Sequence, residues 1–554
     1  MSEKRTRVFA AAVDDVPPGS MREVPLAGTD ESQVNALLSN VRGKFYATTA
    51  SCSHYGLPLA RGVLTGDGRL YCPFHGACFR VTTGDIEDAP ALDPLKSIEV
   101  VVEDGNVYLM VDPEKLEGPV DSLPKEMPSH ATRGHHTVFV GGGAVALHGV
   151  QEMRRRGYAG RITMLTAEPY APIDRTKLSK GDVPSLSRLL LRDESYLRER
   201  LGVELRVSSR VYSVDLTVNR VAIQGGNTVT YDTLVLAPGS VPRRLPVPGA
   251  DLHGVYLLRT LDDARAINDA LARWPNPNLV IIGSGFIGLE MGVALARRAN
   301  VTLLGQTHVP LEGPLGRAVG YGIQTALVNE RGLKLLNAVD VVRIEADASG
   351  HGVSGVVVQP RARGSPELWL HADAVIMATG AAPATQFLRN SPSFPKLRPD
   401  GSVEVDSALR VIGTSNVFAG GDIAAYPANN GLLRIEHWNV ASNHGREIGR
   451  TIATGRPRVF AHVPVFWSGL VSTLRYVGHG AGFDQVHVTG EPDEAEFVAY
   501  YAKDDRIIAV ATMNTDPVMA KVIALMRAGR MPRLSEVIKG TDVMKLDASS
   551  SAAL

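Results

Sequence analysis

Two segments of the sequence have the pattern of a buried strand, a glycine turn and a helix, and this pair constrains the fold more than any other feature. The first segment is HTVFVGGGAVALHGV, with glycines at Gly141 and Gly143, and the second is NLVIIGSGFIGLEMGV, with glycines at Gly283 and Gly285. In each, the first glycine makes the tight turn and the second lets the backbone approach a pyrophosphate. The two turns begin 142 residues apart. This spacing predicts two separate α/β dinucleotide-binding domains.

The first motif continues as a dinucleotide-binding unit should, whereas the second lacks one usual residue. After the first turn, Ala146 permits close packing of the helix, and the next strand ends at Glu168, which is placed to bind ribose hydroxyls. After the second, Gly288 is the third glycine, but the next strand, NVTLLG, ends at Gly305 where an acid is expected. No arginine cluster follows, so the choice between NADH and NADPH stays open.

Two pairs of cysteine and histidine lie close together near the N-terminus. Cys52 with His54, and Cys72 with His75, occupy loops that join predicted strands. This is the arrangement of a Rieske [2Fe–2S] cluster, in which one iron takes two thiolates and the other takes two neutral imidazoles. The alternative is tetrahedral zinc, but zinc fingers group cysteine with cysteine and histidine with histidine. The mixed loops therefore favour the cluster, and we interpret Cys78 as a small buried side chain.

Composition narrows the range of functions. The 58 Lys and Arg residues balance the 58 Asp and Glu residues, so no net charge draws the chain to nucleic acid. The apolar run 279–296 contains Glu290 and four glycines, and we expect no membrane span there. All three cysteines precede residue 79, which is typical of a reducing compartment, and we expect the cytoplasm. Because no cysteine follows, the chain lacks the cysteine pair with which disulfide reductases of double dinucleotide-binding fold act, and that activity is excluded.

The order of these patterns predicts a multidomain chain with an N-terminal all-β Rieske domain, two Rossmann-like α/β domains and a C-terminal α+β reductase domain. We place the Rieske domain at 1–112, a proline-rich linker at 113–134, the first dinucleotide-binding domain at 135–254 and 385–455, the second at 255–384, and the C-terminal domain at 456–545.

Several longer motifs resemble one family. The segments that carry the resemblance are CSHYGLPL, CPFHGACF, TTGDIED, PIDRTKLSK, GSGFIGLE, FAGGDIAAYP, IEHWNVASNHGR, FWSGLVSTLRYVGHG and MNTDPVMAKV. Over roughly residues 5–540 the chain resembles the two-dinucleotide flavoprotein reductases, and most of all the apoptosis-inducing-factor-like proteins that carry an N-terminal Rieske domain. The sequence departs from that family at Ala144-Val145, where Pro-Ala is usual, and at Gly305.

The resemblance implies that 135–254 and 385–455 form the FAD-binding domain and 255–384 the NAD(P)H-binding domain, and it implies particular residues for each cofactor. It assigns FAD to Gly141, Gly143, Glu168, Arg175, Lys180 and Asp422, and NAD(P)H to Gly283, Gly285, Gly288 and Gly380. It also implies an ion pair between Lys180 and Glu290 beside the flavin, with His437 and Trp467 nearby. The position of Asp422 in the sequence also supports its assignment to FAD. It follows a predicted buried strand and a glycine pair, where its carboxylate could bind a ribityl hydroxyl.

Cofactor chemistry then suggests a function. A nicotinamide delivers two electrons as a hydride, and a flavin can store both and release them singly to a one-electron cluster. We therefore expect an NAD(P)H oxidoreductase that passes electrons through FAD to the Rieske cluster and on to an external acceptor, with the histidine-bearing iron as the exit. Two alternatives stay open: an NADH-sensing signalling flavoprotein, and the reductase component of an oxygenase. The acceptor is unknown, and a homodimer is also left open.

Overall fold

The structure, a computed structural model, describes residues 5–26, 34–112, 116, 134–428 and 431–549. The predicted linker 113–134 lies outside these residues except for residues 116 and 134. Among the described residues, no helix is both long enough and apolar enough to cross a membrane.

The described part of the chain has eight α-helices. They are α1 (Ala144–Arg155), α2 (Leu186–Leu189), α3 (Leu261–Leu271), α4 (Phe286–Leu295), α5 (Glu312–Arg331), α6 (Trp438–Thr454), α7 (Val518–Ala528) and α8 (Leu534–Ile538). Short 3-10 helices cover Val13–Asp15, Leu59–Arg61, Arg175–Lys177, Gln386–Asn390, Gly421–Ile423, Pro492–Glu494 and Val543–Lys545, and a π-helical turn covers Tyr196–Arg200.

The strands of the N-terminal half are β1 (Thr6–Ala12), β2 (Met21–Pro25), β3 (Asn35–Val41), β4 (Lys44–Thr49), β5 (Val63–Leu64), β6 (Arg69–Tyr71), β7 (Cys78–Arg80), β8 (Ile86–Asp88), β9 (Ser97–Glu103), β10 (Asn106–Val111), β11 (His136–Val140), β12 (Arg161–Leu165), β13 (Val203–Arg206), β14 (Val211–Asp215), β15 (Arg220–Ile223), β16 (Thr228–Thr230), β17 (Thr233–Leu236), β18 (Ser240–Pro242) and β19 (Val255–Tyr256).

The strands of the C-terminal half are β20 (Asn278–Ile282), β21 (Asn300–Leu304), β22 (Lys334–Leu336), β23 (Val339–Ala346), β24 (Val353–Pro360), β25 (Leu368–His371), β26 (Ala374–Met377), β27 (Ala381–Pro383), β28 (Val403–Glu404), β29 (Val417–Ala419), β30 (Ala424–Ala428), β31 (Gly431–Leu433), β32 (Val465–Gly469), β33 (Thr473–Gly478), β34 (Gln485–Glu491), β35 (Glu496–Lys503) and β36 (Arg506–Met513).

The N-terminal module consists of two antiparallel sheets, as the short alternating strands predict. The larger sheet has the order β1-β10-β9-β4-β3-β2, and the smaller one has the order β5-β6-β7-β8. Each sheet has its own cluster of buried side chains. The two loops that carry the cysteine–histidine pairs follow β4 and β6, so the sheets present both loops together.

Two parallel five-stranded sheets form the centre of the molecule. The first has the order β13-β12-β11-β17-β29, and the second has the order β19-β26-β20-β21-β22. The glycine turns follow β11 and β20, and α1 and α4 begin directly after them. Because ligands bind at the carboxyl ends of such strands, both turns lie where the sequence motifs require. The exact domain boundaries remain a prediction.

The C-terminal module is α+β, as predicted. Its antiparallel sheet has the order β32-β33-β36-β35-β34, and α7 packs against β33 and β36. Buried side chains of this sheet join two clusters, one shared with the second parallel sheet and one with α7. The sheet thereby places β32 between the N-terminal module and the two dinucleotide-binding modules.

The N-terminal module is docked on the rest of the chain through specific hydrogen bonds. The Asn439 amide donates to the carbonyl oxygen of Ala89 at 2.9 Å, and the Ala89 N–H donates to Asn443 at 2.9 Å. Nε of Arg475, in β33, donates to the carbonyl oxygen of Phe74 at 3.0 Å. Phe74 lies between two of the predicted cluster ligands, so these contacts fix the cluster loops against β32 and β33.

Candidate functional site

Each cluster loop closes on itself through backbone hydrogen bonds. In the first, the Cys52 N–H donates to the carbonyl oxygen of Leu57, and in the second the Cys72 N–H donates to that of Ala77, both at 2.8 Å. The loops bring the two histidines together, with 4.8 Å between the ring centroids of His54 and His75. The four predicted ligands thus converge from two loops.

The donor set fits a two-iron cluster. Cys52 and Cys72 are free and buried, and Nδ1 of His54 is buried without a hydrogen-bond partner. Burial lowers the pKa of His54 to about 4 and that of His75 to about 2, so both imidazoles are neutral at neutral pH, which is the ligating form. Among the described residues, no three Cys, His, Asp or Glu side chains are placed to hold one metal ion.

A cavity of about 630 Å³ opens beside the first glycine turn. It is within the size range of cofactor sites. Its lining brings together most of the residues predicted for FAD and its surroundings, namely Gly141, Gly143, Glu168, Arg175, Lys180, Glu290, Asp422 and Trp467. Ala146 is fully buried in α1 below the turn. No residue of 5–112 that the structure describes lines this cavity.

The turn glycines are required by their backbone and by their close neighbours. Gly141 has φ +116°, and a Cβ there would lie 2.0 Å from the carbonyl oxygen of Ala237. Gly283 has φ +115°, and its Cβ would lie 2.3 Å from that of Ala378. A side chain is therefore strained at both positions, and the two turns have the same construction.

The glycines predicted for NAD(P)H lie outside the 630 Å³ cavity. Gly283 and Gly285 follow β20, and Gly288 lies in the first turn of α4. Gly380 follows β26, the parallel neighbour of β20, so it lies at the same carboxyl edge of the second sheet. Ile287 of α4 lines the cavity, so the two candidate sites meet at the start of this helix.

Gly305 directly follows β21, at the position where a ribose-binding acid is usual. A Cβ at this position would lie 2.5 Å from Oγ of Ser284 and 2.8 Å from Oδ1 of Asn337. A carboxylate side chain here would require both of these side chains to move, in agreement with its absence from the sequence.

Ion pairs and hydrogen bonds order the polar wall of the cavity. Glu168 pairs with Arg175, whose Nη1 donates to the carbonyl oxygen of Arg259 at 2.9 Å. Asp422 accepts hydrogen bonds from Ser240 at 2.7 Å and from Arg259 at 3.0 Å. Arg259 thus connects both predicted FAD carboxylates. Sequence reasoning missed Arg259, because no motif marks it.

Glu290 is the most completely satisfied carboxylate at the cavity. Only 4% of it is exposed, and Lys180 Nζ lies 3.1 Å from its Oε2, as the resemblance implies. Ser179 donates to Oε2 as well, while Ser468 and the Gly469 N–H donate to Oε1 at 2.9 and 3.0 Å. These bonds tie α4 to β32 and hold the Lys180 ammonium at the cavity wall.

Trp467 reaches from the cavity to the cluster loops. It lies in β32, is only 7% exposed, and lines the cavity. Its ring centroid is 4.7 Å from that of His75 and 6.0 Å from that of His54. One aromatic side chain therefore separates the cavity from both predicted imidazole ligands.

His437 and Trp438 lie at the start of α6. The His437 ring packs 4.9 Å from that of Phe466, which lines the cavity, and Trp438 lines the cavity itself. Burial lowers the pKa of His437 to about 4, and its Nδ1 has no hydrogen-bond partner. His437 is thus a neutral imidazole that packs behind Phe466, a residue of the cavity wall.

Comparison with known families agrees with this arrangement. Residues 135–445 match the pyridine nucleotide-disulphide oxidoreductases, residues 6–99 match the Rieske [2Fe-2S] domain, and residues 465–545 match the reductase C-terminal domain. The predicted fold class is confirmed, as are FAD, NAD(P)H and a Rieske cluster as the cofactors.

Individual relatives are similar over different parts of the chain. Apoptosis-inducing factor 3 from Mus musculus is 34% identical over 536 residues, covering 95% of this chain and 84% of that protein. Rhodocoxin reductase from Rhodococcus erythropolis is 31% identical over 418 residues, covering 73% of this chain and 92% of that protein. A crystal structure of the covalent putidaredoxin reductase–putidaredoxin complex superposes with a TM-score of 0.66 at 25% identity, covering 74% of this chain and 96% of that chain.

Proposed function

The chain belongs to the pyridine nucleotide-disulphide oxidoreductase family, and on this premise we propose that it delivers electrons from NAD(P)H to its own Rieske domain and then to an external acceptor. When bound, FAD takes a hydride from the nicotinamide and returns the electrons singly, and the cluster takes one electron at a time. The observation that carries the proposal is Trp467, which lines the cavity and contacts His75.

We propose the following residues for FAD. Gly141 and Gly143 let the backbone approach the pyrophosphate, and the N-terminus of α1 faces it. Glu168 would bind the ribose hydroxyls, and Asp422 would accept from a ribityl hydroxyl. Arg175 orients Glu168 through their ion pair, so its role is to position that carboxylate.

NAD(P)H is proposed to bind at the carboxyl edge of the second sheet. Gly283 and Gly285 would approach its pyrophosphate, and Gly288 allows α4 to begin close to the glycine turn. Gly380 follows the neighbouring strand β26 and would border the nucleotide at the same edge. A Cβ at Gly288 would lie 1.9 Å from the carbonyl oxygen of Gly283. Since α4 also carries Ile287 and Glu290 to the cavity, this helix brings the two cofactors together.

For the cluster, we propose that Cys52 and Cys72 hold one iron and that His54 and His75 hold the other. The unpartnered Nδ1 of His54 supports this. One solved neighbour is a complex of putidaredoxin reductase with putidaredoxin, and by analogy we propose that the Rieske domain serves, within one chain, as such a separate redox partner does. The three cysteines, all within the Rieske domain, support a reducing compartment, and we propose the cytoplasm.

Glu290→Gln is expected to slow flavin reduction by NAD(P)H roughly 10- to 100-fold, because the Lys180 ammonium loses the charge that holds it at the cavity. FAD binding should change less, since Glu290 lies in α4 and not in the first dinucleotide-binding module. Anaerobic stopped-flow absorbance measures the rate. The control, Ser468→Ala, removes one of the three hydrogen bonds that the carboxylate accepts besides the Lys180 contact. An unchanged rate in Glu290→Gln would remove the pair from the mechanism.

A second candidate, an NADH-sensing signalling protein, is favoured by the 95% coverage in the match to Apoptosis-inducing factor 3. Turnover with cytochrome c separates the two functions. An electron-transfer enzyme should reduce it continuously at the expense of NADH or NADPH. A sensor should instead hold a long-lived complex of reduced flavin and oxidised nucleotide, visible as persistent long-wavelength absorbance, and turn over little.

A further inference from the structure

One segment of the N-terminal module is held by donors from two helices of the first dinucleotide-binding module. This docking segment, residues 86–93, includes β8. Its carbonyl oxygen at Ile86 accepts from Nη2 of Arg446 at 2.9 Å, and its carbonyl oxygen at Leu92 accepts from Nη2 of Arg155. Arg446 lies in α6, and Arg155 is the last residue of α1. The two hydrogen bonds already described between the segment and α6 lie between these contacts.

The docking segment also carries three carboxylates that meet arginines of other modules. Nη2 of Arg192, in the first dinucleotide-binding module, lies 2.7 Å from both carboxylate oxygens of Asp93. Arg527 of α7, in the C-terminal module, pairs with Asp88, and its Nη2 lies 3.6 Å from Glu87. The side chains of Arg192 and Asp93 are each 18% exposed. Pairs shielded in this way are screened less by salt than exposed pairs.

Both ends of the docking segment are tied to the cluster loops. The carbonyl oxygen of Asp93 accepts from Oγ of Ser53, which lies between the two predicted ligands of the first loop. In β8, Asp88 is the register partner of Cys78. Cys78 directly follows Ala77, whose carbonyl oxygen closes the second loop. The segment that meets the other modules therefore also supports both cluster loops.

The helices that receive the docking segment begin at the cavity. The glycine turn before α1 lines the cavity, as does Trp438 at the start of α6. The two helices are in close contact, since a Cβ at Gly445 of α6 would lie 2.3 Å from the carbonyl oxygen of Val145 in α1. Arg446 of α6 also pairs with Glu152 of α1 at 3.2 Å. Packed helices thus connect the cavity wall with the docking segment and, through it, with the cluster loops.

We propose that the docking segment keeps the N-terminal module in one position throughout turnover, and that its ion pairs with Arg192 and Arg527 position the cluster for electron transfer. The inference rests on the proposed function. Each NAD(P)H yields NAD(P)⁺, one proton and two electrons, so the cluster is reduced and re-oxidised twice per nucleotide, each time in the same place. A module that left this position would have to break shielded ion pairs and leave their charges without partners.

The first test measures rates in the full chain with both cofactors. Arg192→Gln removes the charge that holds Asp93, and it should slow reduction of the cluster by NAD(P)H about tenfold, because electron transfer depends on fixed geometry. Reduction of the flavin should keep its rate. Arg192→Lys keeps the charge and should recover most of the loss. Glu367→Gln is the matched control, because its ion pair with Arg343 at 2.8 Å lies within the second dinucleotide-binding module.

Arg527→Gln tests the second ion pair from the C-terminal module and should act in the same direction. Stopped-flow absorbance gives the rate of flavin reduction, and rapid-freeze EPR gives that of the cluster. Each rate is normalised to the amount of cluster found by EPR after chemical reduction, so that loss of cluster is not mistaken for loss of position. If neither Arg192→Gln nor Arg527→Gln slows cluster reduction, the inference is wrong.

A distance measurement tests the position without turnover. The three cysteines of the chain are buried, so Val218→Cys, at a position of the first dinucleotide-binding module that is 53% exposed, gives one site for a nitroxide label. Pulsed EPR then measures the distance from the label to the cluster after reduction by dithionite. We predict one narrow distance in the protein that carries only this change, and a broadened distribution after Arg192→Gln or Arg527→Gln is added.

The distance measurement also separates the inference from the proposed function. A broad distribution before either arginine is changed would show that the module moves, and an unchanged distribution in both arginine variants would show that these pairs do not hold it. Either result would overturn the inference. Dithionite reduces the cluster without NAD(P)H, so these results do not depend on electron transfer from the flavin. The proposed function itself fails if NAD(P)H leaves the cluster of the unaltered protein oxidised.

Discussion

Trp467→Ala is expected to leave the flavin reducible by NAD(P)H while slowing the appearance of the reduced cluster by about 100-fold, the scale of loss that small misplacements cause in preorganised sites. The reason is position. Trp467 lines the cavity and its ring lies 4.7 Å from that of His75, so truncation opens a gap between the two redox sites. Rapid-freeze EPR after anaerobic mixing with NADH or NADPH measures the rate.

Two variants control this experiment. Trp467→Phe keeps an aromatic ring between the cavity and His75 and should retain most of the rate. Trp274→Ala removes a tryptophan that is 55% exposed and should have no effect. Equal rates of cluster reduction in Trp467→Ala and the unaltered protein would show that electrons take another route.

Cys72→Ser is expected to abolish the cluster and leave FAD bound. Serine does not replace a thiolate that holds iron, whereas the described N-terminal residues contribute nothing to the cavity wall. Most of their buried side chains pack in two clusters of their own, although Tyr71 and Cys78 pack with the C-terminal module. Cytochrome reduction should fall to the slow background of a free flavin, at least about 100-fold below the unaltered protein. NAD(P)H should still bleach the flavin absorbance.

Iron content, EPR and stopped-flow absorbance check this variant together. Cys78→Ala is the matched control, because Cys78 is buried in β7 and is not a predicted ligand. It should keep the cluster. Full cytochrome reduction by Cys72→Ser would identify the flavin as the true exit, and joint loss of FAD and cluster would show that the modules do not fold independently.

Much of the fold follows from local sequence, since each unit is specified by residues near one another in the chain. The turns at Gly141 and Gly283 need glycine for reasons of backbone conformation and close contact, and both are recognisable as strand, turn and helix. The cluster loops are equally local, since each cysteine lies within three residues of its histidine. The Lys180–Glu290 contact could be predicted only through the resemblance, because 110 residues separate the pair.

The relation between the modules could not be predicted in this way. The contact between Trp467 and His75 joins segments almost 400 residues apart, and no periodicity specifies it. Arg259 lies in no motif, and Tyr55, although it lies within CSHYGLPL, had no assigned role. Each gains its place from a partner in another segment, Asp422 and Asp174 respectively. The expectation that the histidine-bearing iron is the exit stays a prediction. The structure adds that the two histidines have two aromatic neighbours, Trp467, which is buried, and Tyr55, which is exposed.

The central claim is that electrons pass from flavin to cluster within one chain, and a single-turnover experiment tests it most directly. The oxidised protein is mixed anaerobically with NADH or NADPH at several protein concentrations, and the EPR signal of the reduced Rieske cluster is followed in time. We predict that the signal appears with a first-order rate that does not depend on protein concentration. A reduced flavin beside a cluster that stays oxidised, or a rate proportional to protein concentration, would contradict the account.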